Sequence, residues 1–175
     1  MIFLLLQITT AASPDVEERV GVSGPWTEYV RFLPETIHLP TSWSGAEQEL
    51  LVGTSLQAAL QAKLKSLARE FDHLRTATGE IPWCQRYRED TGSWTFGAWR
   101  LVDAMYRSRA LDLPGVGHAM VPCIDMANHA SGADTIALYE TDLNGNGILL
   151  LREDKSLTEG DEVTITYVVC QDGKL

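Results

Sequence analysis

Two stretches in the last third of the chain decide the fold: residues 121–129 read VPCIDMANH, and residues 160–167 read GDEVTITY. The first predicts a short apolar strand that leads into three polar side chains, Asp125, Asn128 and His129. Buried polar groups cost roughly 1–3 kcal/mol each unless they are paired, so these side chains need partners or a ligand. The alternative, which composition alone favours, is a loop in which Asp and Asn satisfy backbone groups.

Hydrophobic periodicity around these stretches indicates an α+β fold. Apolar residues recur at helical spacing over residues 2–9, 26–33 and 54–74, and in a further helix that begins near Ser93. In the last third, alternation and an Asn-Gly-Asn-Gly turn predict small antiparallel sheets. We therefore predict two regions: a helical one over residues 1–110 and a β one over residues 111–175.

The first thirteen residues, MIFLLLQITTAAS, allow two interpretations. An apolar core followed by small residues is typical of a signal peptide, but there is no positively charged start and the apolar run is short. We favour a core helix, because Ile2, Leu5, Leu6 and Thr9 share one helical face.

Charge and cysteine usage exclude several classes of protein. The 175 residues include 14 Lys and Arg against 24 Asp and Glu, for a formal charge of −10, which is the wrong sign for binding nucleic-acid phosphates. No apolar run is long enough to span a membrane. Cys84, Cys123 and Cys170 are far apart, and a metal site would lack a fourth ligand near Cys123. We expect no disulfide framework and no metal, and an intracellular location in cytoplasm or nucleus.

Taken together, the two stretches resemble the motifs of SET-domain protein methyltransferases, in particular the branch of the Rubisco large-subunit lysine methyltransferase. In that family an Asp-x-x-Asn-His segment precedes a Gly-[Asp/Glu]-Glu-Val-x-[Ile/Leu]-x-Tyr strand, and here these read DMANH and GDEVTITY. Upstream, Ser108-Arg109-Ala110 resembles the Ser-Arg-Ala element of the family. The resemblance covers most of the chain and implies a helical inserted SET subdomain followed by the C-terminal part of the SET β-fold.

The resemblance implies a protein-lysine N-methyltransferase that uses S-adenosylmethionine and acts on a lysine in a basic protein segment. Tyr167 would be the catalytic tyrosine beside the transferring methyl group. Asp125 would brace the mouth of the lysine channel, and Tyr139 would lie near the substrate lysine. The residues that would hold the cofactor are Arg109, Asn128 and His129.

The chain also departs from the family pattern. The family's Gly-x-Gly strand is missing before residue 110, and the expected Gly…Asn stretch does not follow Tyr167. We therefore expect a fold that is incomplete at both termini, and activity of this chain alone is in doubt. A non-catalytic SET-derived module that binds a protein is the alternative. A third possibility is an unrelated α+β domain in which the two motifs coincide by chance.

Overall fold

The fold was obtained as a computed structural model, which describes residues 1–13, 15 and 24–167. The segment after Tyr167, where the family pattern is expected to break, lies outside the described residues. The α-helices are α1 (Ile2–Ala11), α2 (Pro25–Val30), α3 (Gly45–Glu49), α4 (Ser55–Ala77), α5 (Pro82–Thr91) and α6 (Phe96–Arg109). The strands are β1 (Leu111–Leu113), β2 (Gly117–Ala119), β3 (Asn128–His129), β4 (Ala137–Thr141), β5 (Gly147–Leu151) and β6 (Thr164–Ile165).

Backbone contacts divide the chain into two compact units, Met1–Met105 and Tyr106–Leu175. The division falls inside α6, a few residues before the predicted boundary at residue 110. The first unit is helical and the second holds all the described strands, which agrees with the predicted α+β class. In the described part of the chain, no helix is long and apolar enough to cross a membrane.

The first unit has its core along one face of α4. Leu67, Phe71 and Leu74 are buried on that face within the core, and Leu60 is buried on the helix outside this cluster, so the predicted helix over residues 54–74 is confirmed. The predicted helix at the start of the chain is confirmed as α1, whose Leu5 is buried in the same core. The remaining buried members of this core are Cys84, Tyr87, Trp94, Trp99 and Val102.

A buried chain of hydrogen bonds holds α1 against its neighbours in the first unit. The hydroxyl of Tyr87, on α5, bonds with Thr10 Oγ1 at 2.8 Å and donates to the Leu6 carbonyl at 2.9 Å. On α2, Thr27 Oγ1 donates to Gln7 Oε1 at 2.5 Å. Because the four side chains in these bonds are buried, each bond removes a desolvation cost that an unpaired polar atom would carry.

We expect the substitution Tyr87→Phe to destabilise the first unit by about 1–2 kcal/mol, since it leaves Thr10 and the Leu6 carbonyl without this partner. Urea denaturation followed by tryptophan fluorescence is a suitable measurement, because all five tryptophans precede residue 100. Tyr29→Phe, on the partly buried side of α2, is the control and should cost less.

The same substitution has a pH signature with a defined sign. Burial raises the pKa of Tyr87 above its usual 10.0, although hydrogen bonds with Thr10 and Thr9 offset part of the effect. The neutral phenol therefore contributes stability that is fully present below pH 10 and is lost as the pH rises through the higher folded pKa. Stability of the native chain should fall more steeply above pH 10 than that of Tyr87→Phe, and parallel pH curves would contradict this account.

The second unit contains three two-stranded sheets. The pairs β1–β2 and β4–β5 are antiparallel hairpins, and the second confirms the hairpin predicted across the Asn-Gly-Asn-Gly turn. The pair β3–β6 is parallel, so the prediction of antiparallel sheets alone was wrong. The reason is topological: along the chain the β4–β5 hairpin separates β3 from β6, and this connection brings β6 alongside β3 in the same direction.

The predicted strand that leads into Asp125 is also wrong. Residues 120–123 form no strand, and a 3-10 turn over Ile124–Met126 follows them directly. Cys123 has φ 72°, in the left-handed region that a side chain rarely adopts. The Asp125 N–H donates to the Val121 carbonyl at 3.0 Å and closes the turn.

The core of the second unit lies under β1, β4 and β6. Leu111 and Leu113 from β1 pack with Ala137 and Tyr139 from β4, and Ile165 of β6 is completely buried among them. The Ile124–Met126 turn adds Ile124 to the same cluster. This core fixes the strand ends from which the candidate site residues project.

Candidate active site

The two sequence motifs lie side by side in the parallel pair β3–β6. Asn128 is in register with Thr164, and His129 is in register with Ile165. One further bond continues the pairing, from the Ala130 N–H to the Ile165 carbonyl at 2.9 Å. The structure thus joins segments that are more than thirty residues apart in sequence.

Tyr167 is fixed against the first motif through both its backbone and its side chain. Its N–H donates to His129 Nδ1 at 3.2 Å, and its hydroxyl donates to the Ala127 carbonyl at 2.9 Å. The rings of His129 and Tyr167 lie 5.2 Å apart. An Nδ1 that accepts a hydrogen bond carries no proton, so this contact assigns the proton of the neutral ring to Nε2.

The hydroxyls of two threonines contact the turn that follows His129. The sequence did not mark either threonine as a site residue. Thr135 Oγ1 and Thr166 Oγ1 lie 2.9 Å apart, and each is 3.0 Å from the carbonyl of Ala130. Thr135 is 2% exposed, so its hydroxyl is held away from water. Adjacent to Tyr167 in sequence, Thr166 transmits this constraint to the tyrosine backbone.

A cavity of about 370 Å³ opens beside Tyr167. This volume lies within the range of small-ligand sites. Four of the predicted site residues contribute to its wall: Arg109, Asp125, Tyr139 and Tyr167. The remaining lining residues are Arg107, Ser108, Ala110, Leu111, Asp112 and His118.

Asn128 and His129, the other two predicted site residues, do not line this cavity. They lie beside it and are exposed. The Asn128 amide donates to Glu162 Oε1 at 2.5 Å, so each motif contributes one side chain to this contact. The three predicted cofactor residues therefore do not lie together. Arg109 lines the cavity with the predicted substrate residues Asp125 and Tyr139, whereas Asn128 and His129 lie outside it.

Arg109 and Asp125 form an ion pair in the cavity wall. Arg109 Nη1 lies 3.4 Å from Asp125 Oδ2 and donates to the Asp125 carbonyl at 3.2 Å. The carboxylate side chain of Asp125 is fully buried, whereas the Arg109 side chain is 22% exposed. Because a buried carboxylate needs a counter-charge, the pair holds the motif turn to the end of α6.

Tyr139 is buried in the core of the second unit, and the pKa of its hydroxyl is raised above the usual 10.0. Burial is the larger cause, and the negative charge of nearby Asp112 is the smaller one. The Tyr139 hydroxyl therefore stays protonated at neutral pH and donates to the Tyr167 carbonyl at 3.3 Å. This bond is a second restraint on the Tyr167 backbone.

No metal centre is found among residues 1–13, 15 and 24–167, where no three His, Cys, Asp or Glu side chains are grouped to hold an ion. His118 and His129 flank Cys123 in sequence. In the structure His118 lines the cavity and His129 contacts Tyr167.

Comparison with known proteins gives one informative similarity. No family model matches the chain. The chain is 31% identical over 146 residues to SET domain-containing protein 8 of Schizosaccharomyces pombe. This similarity supports assignment to the SET-domain family. The aligned region covers 81% of the chain but 30% of the relative, so the chain spans less than a third of the length of that SET-domain protein.

Proposed function

We propose that this chain carries the transfer site of a SET-type protein-lysine N-methyltransferase of the Rubisco large-subunit methyltransferase-like branch. The observation that carries the proposal is the parallel pair β3–β6, which joins the DMANH and GDEVTITY segments next to the cavity. In the proposed reaction a lysine side chain enters this cavity and accepts a methyl group.

The exposed polar atoms beside the cavity fit the chemistry of S-adenosylmethionine. Asn128 retains its amide oxygen and His129 its Nε2–H for a ligand, since their described hydrogen bonds use Asn128 Nδ2 and His129 Nδ1. An oxygen acceptor and an N–H donor suit the ammonium and carboxylate ends of an amino acid. The cofactor, when bound, supplies an electrophilic methyl on a sulfonium.

The protein's own part would be alignment and electrostatics. The Tyr167 hydroxyl donates its hydrogen bond to the Ala127 carbonyl, which leaves the lone pairs of the hydroxyl oxygen to accept weak C–H···O contacts from a polarised methyl. The ion pair balances the Asp125 charge within the wall, so that carboxylate does not hold an incoming amine in its ammonium form. Desolvation then lowers a lysine pKa from its usual value of about 10.4 toward the neutral, nucleophilic form.

The proposed substrate is a lysine in a basic protein segment. The formal charge of −10 supports this, since complementary charge accelerates encounter. Incubation of the chain with methyl-labelled S-adenosylmethionine and a panel of basic proteins tests the proposal, followed by acid hydrolysis to identify the methylated residue. Label recovered in methyl-lysine is the expected result. Peptide binding with no transfer to any protein would favour the non-catalytic binding module.

A further inference from the structure

The rim of the cavity carries a carboxylate that the proposed transfer reaction does not use. Asp112 lies in the middle of β1 between Leu111 and Leu113, which are 4% and 5% exposed. Because successive strand residues face opposite sides, Asp112 projects away from that core and is exposed. It pairs in register with His118 of β2, and both residues line the cavity.

Asp112 has no counter-charge bonded to it in the part of the chain that the structure describes. Among the described residues, its carboxylate forms no hydrogen bond and no ion pair, whereas the neighbouring Asp125 is paired with Arg109. The two arginines of the cavity, Arg107 and Arg109, both come from the end of α6. The β1 side of the rim therefore presents a solvated negative charge beside the opening.

We propose that Asp112 is a specificity-determining residue that selects protein segments with a second cationic side chain beside the target lysine. The inference rests on the proposed function, because it assumes that the cavity receives a lysine. With that lysine inside, the residues next to it in sequence would lie at the rim, where Asp112 attracts an arginine or lysine. An exposed pair of this kind contributes modestly and weakens with salt.

Equilibrium binding of two fluorescent nonapeptides to the full chain tests the inference without requiring turnover. One peptide has a single lysine among Ala, Gly and Ser, and the other has arginine on both sides of that lysine. We expect the arginine peptide to bind about three- to fivefold more tightly at low ionic strength. In Asp112→Asn this preference should fall to about one- to twofold, and Asp112→Glu should restore it.

Glu153→Gln is the matched control, because Glu153 is exposed, carries the same charge and does not line the cavity. It should retain the native preference, and about 0.5 M salt should abolish the preference in the native chain. Equal binding of the two peptides by the native chain, no binding of either, or an equal loss in Glu153→Gln would overturn the inference. A preference that depends on Asp112, in a chain that transfers no methyl group, would refute the proposed function and leave the role of Asp112 intact.

Discussion

Tyr167→Phe should slow methyl transfer by about two orders of magnitude while the fold persists. The substitution removes one hydroxyl, which donates to the Ala127 carbonyl at 2.9 Å beside the cavity. Loss of a preorganised polar contact to the reacting group costs on the order of 10² in rate. The backbone bond from the Tyr167 N–H to His129 does not need the hydroxyl, so the segment should keep its position.

Single-turnover transfer with labelled S-adenosylmethionine measures this effect, and circular dichroism monitors the fold. Tyr106→Phe is the matched control, since the Tyr106 hydroxyl also donates to a backbone carbonyl, that of His118, at 2.9 Å. The control loses the same kind of bond from a side chain that does not itself line the cavity, although the acceptor belongs to the lining residue His118, and it should change the rate by less than about threefold. Equal rates for Tyr167→Phe and the native chain would remove Tyr167 from the chemistry.

Arg109→Met should destabilise the second unit by about 2–3 kcal/mol. The substitution keeps an apolar stem but removes a counter-charge from the fully buried Asp125 carboxylate. Removal of one member of a buried pair costs several kcal/mol, and the partial exposure of Arg109 places the expected value at the lower end. The second unit lacks tryptophan, so amide hydrogen exchange of β6 is the suitable measurement.

A double substitution distinguishes the charge from the packing. Asp125→Asn removes the buried charge, so combining it with Arg109→Met should recover at least half of the lost stability. Arg107→Met, on an exposed arginine of the same helix end, is the control and should cost less than about 1 kcal/mol. Additive losses in the double variant would show that the pair does not act through its charges.

Local patterns predicted the long elements of the fold well. The α4 stripe and the β4–β5 hairpin each depend on residues close in sequence. Helix α5 was missed because it has few apolar positions. Its signals are Pro82 at the first turn and Gly92 at the end, with φ 60°.

The partners of the strands were harder to predict. Alternation over Val163, Ile165 and Tyr167 indicates a strand, but only the β3 contact shows that it pairs in parallel. The hydroxyl contact between Thr135 and Thr166 likewise joins residues that are far apart in sequence. For Asp112 the sequence does contain a local indication. A charged residue between two leucines is typical of the exposed face of a short strand, and the structure places both leucines in the core.

The central claim is that the DMANH and GDEVTITY segments together form a methyl-donor site. Ultraviolet crosslinking of methyl-labelled S-adenosylmethionine to the full chain, followed by peptide mapping, tests it most directly because it requires no substrate. We predict label in the peptides that contain His129 and Tyr167, competed by unlabelled cofactor and reduced in Asn128→Ala. No competable label, or label confined to peptides of the helical unit, would contradict the claim.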